Sequence, residues 1–366
     1  MKASFLTPQT ILRLMQPNTQ PCRKMKKTRK QLTATLVVLP VSLMMSPAVR
    51  AGELEPPGPP TTGTMKTLDE VEPRVPIHAD DLPLTITVTK SYYLTESVTF
   101  TDTASNAITV ECAGVTIDLM GYTLKGPDSG IKAGIRIEAN NVEIKNGTVR
   151  DFYEGIRADY TSKNNRIRSM RAISNLNIGI FPGQGAVIKD CTVSENGLHG
   201  IFAKTDTLIT GSTVYNNGGY GIYFDDSPGC TITGNLAYEN EYGIFSSNGS
   251  TITGNTTRDN VNDGIFACGG CTIRSNTSYS NDRDGIVALS GCTLIGNTAF
   301  LNGNDGIRVA FTAAGCTLIG NTARGNAGIG INASDFCLID QNTATDNLGG
   351  NLFYDQDCEI GMNLAP

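Results

Sequence analysis

Short segments in which apolar and polar residues alternate make up most of this chain after residue 80, and Gly or Asn stands between one segment and the next. Each segment has three to five residues, which is typical of strands and too short for helices. The segments return with a regular spacing. A Gly-Ile pair recurs every 21 to 24 residues, at Gly134, Gly155, Gly179, Gly200, Gly221, Gly243, Gly264, Gly285, Gly306 and Gly330.

A repeat of about 21 residues is too small to bury a core alone, but stacked coils pair each strand with its copies above and below. The period therefore predicts an all-β fold, a single parallel β-helix of eleven to twelve coils. Asparagines at one repeat position support the stack, because Asn tolerates the left-handed backbone of a tight corner and its amide can hydrogen-bond to an identical amide. We expect this corner ladder to comprise Asn175, Asn196, Asn217, Asn240, Asn260, Asn281, Asn302, Asn326 and Asn347.

The period, the Asn corners and the Gly-Ile strands together resemble the right-handed parallel β-helix proteins of the pectin-lyase-like class. Within it, the repeat is similar to that of carbohydrate-processing β-helices and of periplasmic β-helix proteins of copper-site maturation. Ser91–Thr95 and Val115–Leu124 look like the first coils of exported members. The resemblance covers roughly residues 80–366 and implies a right-handed coil. It implies no single reaction, because this fold hosts lyases, hydrolases, epimerases and non-catalytic binding shafts.

The N-terminal region has the composition of an export signal. Residues 1–51 contain nine Lys or Arg and no acidic residue, and a basic cluster at 23–30 precedes the apolar run Leu32–Met45. We predict a signal peptide over 1–51, cleaved after Ala51, and therefore a secreted or periplasmic protein. Met25, followed by two lysines, is a more usual start, so we expect that 1–24 is an over-extension of the sequence. A Pro-rich linker and lead-in segment follows over 52–80, and the β-helix domain over 81–366.

Charge and hydropathy exclude two kinds of partner. After residue 51 the chain holds 20 basic and 35 acidic residues, a net charge of −15, which repels nucleic acid. No apolar stretch is long enough to predict a membrane span.

Six of the ten cysteines share one repeat position, with Ser250 in the one coil that lacks a thiol. The position lies two residues before an inward Ile or Leu, so we expect a buried column of free thiols; disulfides between neighbouring coils are the alternative. The column comprises Cys230, Cys271, Cys292, Cys316, Cys337 and Cys358.

Two groups of carboxylates are candidates for chemistry. Asp263, Asp284 and Asp305 precede the repeat glycine in consecutive coils, so stacking favours either a bound Ca²⁺ or raised pKa values. The alternative is that each accepts a backbone N–H in its turn. Asp225 and Asp226 follow another repeat strand and are the first choice for a catalytic or cation-binding carboxylate, with turn capping as the alternative.

The residue after each repeat Ile points outward, which places five aromatic rings along one line. We predict that this aromatic strip is solvent-exposed and binds sugar, with arginines flanking it; the alternative is that Met65–Thr89 or a partner chain covers the rings. The predicted substrate-binding residues are Arg157, Phe181, Phe202, Tyr223, Phe245, Phe266 and Arg308. A lesser outward row comprises Tyr215, Tyr238, Tyr279 and Phe300.

A pectin-depolymerising hydrolase of the resembled class would show Asn-Thr-Asp, a paired Asp, Gly-His-Gly and Arg-Ile-Lys in that order. Here His199 precedes the Asp225–Asp226 pair, and the Asn-Thr-Asp and Arg-Ile-Lys motifs are missing, so that reaction is excluded. Two functions remain. One is binding of an extracellular polysaccharide, with cleavage by a lyase or conversion by an epimerase as an added activity. The other is a non-catalytic periplasmic or surface scaffold whose strip engages protein.

Overall fold

The computed structural model describes residues 73–310 and 313–366. The predicted signal peptide and residues 52–72 lie outside the described residues. Almost every described element is a short strand, and the strands pair in parallel with the equivalent strand one coil away, for example Ile222 with Ile244 and Phe245 with Phe266. The predicted all-β parallel solenoid with a spacing of about 21 residues is confirmed.

One face of the solenoid is a 13-stranded parallel sheet that contains the Gly-Ile pairs; it is called the Gly-Ile sheet below. Its strands are Leu84–Ile86, Ile108–Val110, Ala133–Ile137, Glu154–Ala158, Ile180–Phe181, Ile201–Ala203, Tyr220–Phe224, Tyr242–Ser246, Ile265–Ala267, Ile286–Ala288, Ile307–Val309, Ile331–Ala333 and Leu352–Tyr354.

The remaining strands form a 24-stranded sheet made of two stacks. The first stack contains Val75–Ile77, Ser91–Leu94, Thr116–Asp118, Val187–Lys189, Leu208–Thr210, Thr231–Thr233, Thr251–Thr253, Thr272–Arg274, Thr293–Ile295, Thr317–Ile319, Leu338–Asp340 and Glu359–Ile360. The second contains Val98–Thr99, Thr123–Lys125, Thr192–Ser194, Thr213–Tyr215, Leu236–Tyr238, Thr256–Arg258, Thr277–Tyr279, Thr298–Phe300, Thr322–Arg324 and Thr343–Thr345. Two longer strands, Glu143–Arg150 and Arg166–Ile173, belong to both stacks. A 3₁₀ turn spans Ala79–Asp81.

The number of coils is larger than the repeat alone indicates. The first stack, including the two shared strands, has fourteen members, so the solenoid has about fourteen turns rather than eleven to twelve. Coils without the Gly-Ile pair lie at both ends of the described chain. At the C-terminal end, Leu352–Tyr354 pairs with Ile331–Ala333. At the N-terminal end, Val75–Ile77 pairs with Ser91–Leu94, and Leu84–Ile86 pairs with Ile108–Val110, in coils that lack the Gly-Ile pair on which the count rests.

Every second residue of a strand points into the solenoid, and these inward columns form the core. In the Gly-Ile sheet the column includes Ile201, Ile222, Ile244 and Ile265, all fully buried. Burying such a side chain contributes about 1.5–3 kcal/mol, so a column repeated in every coil is the main stabilising contact between coils.

The corner ladder is confirmed. The amide of Asn281 donates to Asn302 Oδ1 at 3.0 Å and accepts from Asn260 Nδ2 at 2.8 Å. The same carbonyl oxygen also accepts the backbone N–H of Asn260. Each buried Asn side chain therefore satisfies a backbone donor at the corner of the preceding coil. The structure adds a second ladder of the same kind, at the corner between the two stacks: Asn235, Asn255, Asn276, Asn297, Asn321, Asn342 and Asn363.

The predicted cysteine column is buried at five of its six positions, Cys358 being half-buried, and the nine cysteines of the described residues are free thiols. Cys191 is buried as well, but it stands at the position of the second Asn ladder, where its backbone N–H donates to Ser212 Oγ. Several sulfurs contact a carbonyl one coil away, as Cys292 Sγ does with Cys268 O at 3.1 Å. Burial raises the pKa of Cys191 to about 12 and that of Cys230 to about 11, so these thiols are protonated at neutral pH.

Candidate functional site

The outward positions of the Gly-Ile sheet form the line that the repeat predicts. Parallel register pairs Phe202 with Tyr223, Tyr223 with Phe245, and Phe245 with Phe266. The ring centroids along the strip are 5.2 Å apart for Phe181 and Phe202, then 5.1, 5.6 and 4.8 Å for the following pairs. The five rings therefore make one unbroken row of contacts.

The expectation that these rings are largely exposed is wrong. Phe181 is fully buried, and the other four rings are half-buried. The cause is local: the Tyr160 ring stands edge-on to Phe181 at 5.1 Å, and the Arg157 guanidinium lies 4.3 Å from the centre of the Phe181 ring. Neighbouring rings also cover one another, because consecutive coils are closer together than the width of a ring.

Residues 73–89 do not cover the strip. They form the first coil, with one strand in each sheet, and stack on the N-terminal end of the solenoid. Residues 65–72, the rest of the segment considered as a cover, lie outside the described residues. Within residues 73–310 and 313–366, four rings of the strip keep an accessible face.

A second aromatic row lies beside the strip and was missed from the sequence. His199, Tyr220 and Tyr242 occupy the position three residues before the outward ring in three consecutive coils. Tyr220 lies 4.6 Å from the Tyr223 ring and 4.9 Å from the Tyr242 ring. The available signal was this fixed offset of three residues, which widens the strip to two rings in the central coils.

Three ionisable side chains of these rows, His199, Tyr220 and Tyr223, are neutral at physiological pH. Burial lowers the pKa of His199 to about 4, and its Nδ1 accepts the backbone N–H of Tyr220 at 3.2 Å, which leaves the proton on Nε2. Burial, followed by Tyr242 and then Glu241, raises the pKa of Tyr220, and burial followed by Asp225 raises the pKa of Tyr223. The row therefore presents hydroxyl groups and one imidazole as hydrogen-bonding groups, not as charges.

Asp225 and Asp226 lie beside the strip on an exposed loop. Asp225 Oδ2 is 3.5 Å from Lys204 Nζ, and the Asp225 backbone carbonyl accepts a hydrogen bond from Ser227 Oγ. Asp226 has a positive φ of 42°, as expected for a residue in the turn. Their catalytic or cation-binding role stays a prediction.

Asp263, Asp284 and Asp305 form a column, called the acidic column below, in which a carboxylate accepts the backbone N–H of the next Asp one coil away. Asp263 Oδ1 accepts the Asp284 N–H at 3.1 Å, and Asp284 Oδ1 accepts the Asp305 N–H at 2.9 Å. Asp284 is fully buried and also receives Arg308 Nε at 2.6 Å. Burial and then the neighbouring Asp284 raise the pKa of Asp263. No group of three His, Cys, Asp or Glu side chains within the described residues is arranged to hold a metal ion, and calcium at this column stays a prediction.

A family model described as the right handed beta helix region matches residues 133–274 and 265–363. The chain belongs to this family. Its β-helix is similar to the solved structure of the Dettilon tailspike protein, at 18% identity and a TM-score of 0.56, over 68% of this chain and 58% of that one. A search of curated proteins found no significant match.

Two further solved structures that the β-helix resembles are named as epimerases. The periplasmic alginate epimerase AlgG aligns at 14% identity with a TM-score of 0.54, over 79% of this chain and 83% of that one. The A-module of the Azotobacter vinelandii mannuronan C-5 epimerase AlgE6 aligns at 14% identity and a TM-score of 0.54, over 80% and 89%. At these identities the likeness concerns the fold alone.

The two arginines predicted to flank the strip of this right-handed β-helix are each held by a carboxylate. Arg157 Nη1 lies 2.9 Å from Glu154 Oε1, and Arg308 is bound by buried Asp284. Arg157 touches the strip through Phe181, whereas Arg308 lies two coils beyond Phe266, after Val287.

Over the described part of the chain, no helix has the length and hydropathy needed to cross a membrane.

Proposed function

We propose that this chain is an exported protein, secreted or periplasmic, that binds an extracellular polysaccharide along the aromatic strip. One observation carries the proposal: four half-buried rings and one buried ring stand one coil apart on an open sheet, with a second row beside them. The accessible rings offer flat apolar faces to the C–H faces of sugars, and the tyrosine hydroxyls can bind sugar hydroxyls. The predicted signal peptide supports the location outside the cytoplasm.

Binding is better supported than turnover. A lyase or an epimerase abstracts a proton next to a carboxyl group, which needs a base and a neutralising cation. The strip offers His199, whose Nδ1 is occupied by a backbone N–H, and tyrosines whose pKa values are raised. Two similar folds are named as alginate or mannuronan epimerases, which keeps this reaction as the second candidate.

The decisive experiment is retention of glycans by a variant that keeps apolar volume but loses the flat rings. Tyr223→Leu combined with Phe245→Leu should reduce binding to a polysaccharide panel at least about tenfold, because the contact with sugar faces needs planar rings. The matched control replaces Tyr215 and Tyr238 by Leu. These rings form a stacked pair 4.8 Å apart on the other sheet, and their replacement should leave binding unchanged. Affinity gel electrophoresis and calorimetry give the measurement.

Other outcomes separate the alternatives. Equal loss in both variants, or no loss in either, would contradict binding at the strip. An unsaturated product detected by ultraviolet absorbance, or C5 proton exchange detected by NMR in D₂O, would establish the lyase or epimerase reaction. Capture of a protein rather than a glycan at the strip would favour the scaffold function.

A further inference from the structure

The cations next to the aromatic strip are already neutralised. Arg157 pairs with Glu154 at 2.9 Å and lies over Phe181. Lys204 pairs with the Asp225 carboxylate at 3.5 Å, and its Nζ is 4.8 Å from the centre of the Phe202 ring. Each therefore contributes a methylene stem and a satisfied charge to the strip, with no positive charge left to bind an anion.

The rest of this face has the same balance. Arg136 at the N-terminal end pairs with Glu138 and Asp159, and Arg308 pairs with Asp284. Two further cations belong to this face. Lys132 lies with Arg136, Glu138 and Glu154 at the N-terminal end, and Arg283 stands at the corner beside Asp263, where it lowers the pKa of that carboxyl against the stronger effect of burial.

Carboxyl groups exceed these cations. Asp226 and Glu241 are exposed and form no ion pair with any described residue, and the Glu241 charge contributes to the raised pKa of Tyr220. On the other sheet, Lys145 and Arg168 point outward and pair with Asp118 and Glu143, and Arg166 points outward without an ion pair to any described residue.

A uronate polymer carries a carboxylate on each uronate residue. On this face it would meet net negative charge, on a chain whose residues after 51 carry −15, and it would have to displace an existing carboxylate to reach either of the two cations that touch the strip, Arg157 and Lys204. A neutral sugar needs an apolar face and hydroxyl partners, and the two ring rows provide both. We propose that the polysaccharide bound at the strip is uncharged. This inference rests on the proposed function and specifies its ligand class.

The test compares polymers that differ only in charge. Alginate, polygalacturonate and hyaluronan are each paired with the carboxyl-reduced derivative, in which every uronate has become a neutral hexose. We expect the wild-type protein to bind at least one reduced polymer about tenfold more tightly than its ionised parent at low salt. This difference in affinity should shrink at a salt concentration of about 1 M, where the Debye length is about 3 Å.

Each outcome has a defined meaning. Tighter binding of an ionised parent, or equal binding of parent and derivative, would overturn the inference and leave polysaccharide binding standing. Absence of binding to all six polymers and to a panel of neutral glycans, by a protein that is folded, would overturn both proposals.

A charge variant makes the comparison sharper. Asp225→Asn frees Lys204 beside the Phe202 ring, so it should raise affinity for the ionised polymers severalfold and narrow the ratio between the two forms. Asp190→Asn is the control, because Asp190 has the same 56% side-chain exposure and is also paired with a lysine, Lys189, but on the other sheet. An unchanged ratio in Asp225→Asn would contradict the proposed role of charge.

Discussion

Two neighbouring groups of coils carry different chemistry on the same backbone. In the aromatic coils, the position three residues before the outward side chain holds His199, Tyr220 and Tyr242; in the acidic coils that follow, it holds Asp263, Asp284 and Asp305. The register continues unbroken between the groups, since Phe245 pairs with Phe266 and Phe266 with Val287. The backbone is therefore set by the repeat, and the surface changes with the side chains at this column and at the outward column beside it.

His199 shows what the column does for the fold. Its Nδ1 accepts the N–H of Tyr220 at 3.2 Å, and Asp263 Oδ1 accepts the N–H of Asp284 at 3.1 Å. An imidazole and a carboxylate thus satisfy the same backbone group one coil away. Tyr220 and Tyr242 have no acceptor close to the backbone and pack their rings instead. The hydrogen bond to the backbone N–H of the next coil is enough to explain a titratable side chain at this position, without a catalytic role.

The largest effect is expected in the acidic coils. Asp284→Ala removes the acceptor of the Asp305 N–H, of Asn304 Nδ2 and of the Arg308 guanidinium. Removing one partner of a buried ion pair costs about 3–5 kcal/mol, and we expect the lower end of this range because the Arg308 side chain left behind is 27% exposed to solvent. Urea unfolding of wild type and variant measures this loss. A loss below about 1 kcal/mol would show that the column is not a structural ladder.

The fold was predictable because each coil repeats the same signals. The Asn corner and the inward Ile recur with one period, and stacking allows few other solutions. The count fell short because coils at both ends, in residues 73–110 and around Leu352–Tyr354, contain no Gly-Ile pair. The burial of Phe181 could not be predicted, because Tyr160 and Arg157 come from the preceding coil and reach it through space. Sequence order identifies an outward position but not what neighbouring coils place over it.

The corner ladder runs through both groups of coils. Equivalent substitutions in it show whether the two groups differ in stability as well as in surface chemistry. Asn281→Ala in the acidic coils and Asn217→Ala in the aromatic coils should each cost about 1–3 kcal/mol, because buried donors and acceptors lose their partners. Denaturant unfolding gives both values. Losses that differ by more than about 1 kcal/mol would mean that the aromatic coils have their own source of stability.

The equivalence of His199 and the aspartates predicts which replacements are tolerated. His199→Asn keeps an acceptor near the Tyr220 N–H, whereas His199→Leu keeps the apolar contacts with Phe202 and Tyr223 but leaves that N–H without a partner. We expect His199→Leu to be about 1–2 kcal/mol less stable than His199→Asn. The reverse order would mean that ring packing, and not the hydrogen bond, keeps a histidine at this position.

The smallest effect is the pH dependence that separates His199 from the carboxylates. The pKa of His199 is lowered to about 4 by burial, against about 6.5 in an unfolded chain. The unfolded state therefore binds the extra proton between these values, so the contribution of the neutral imidazole is complete above pH 6.5 and is lost as the pH falls towards 4. Between pH 7 and 5 the wild type should lose roughly 1 kcal/mol more than His199→Asn, the size being reduced by solvent screening of a half-buried ring. Parallel unfolding series at several pH values give the difference between the two proteins, in which the titration of Asp263 and the other carboxyls cancels. If the two proteins showed the same dependence of stability on pH, the pKa of His199 would not be lowered in the folded protein. The hydrogen-bond equivalence between His199 and the aspartates would then be contradicted.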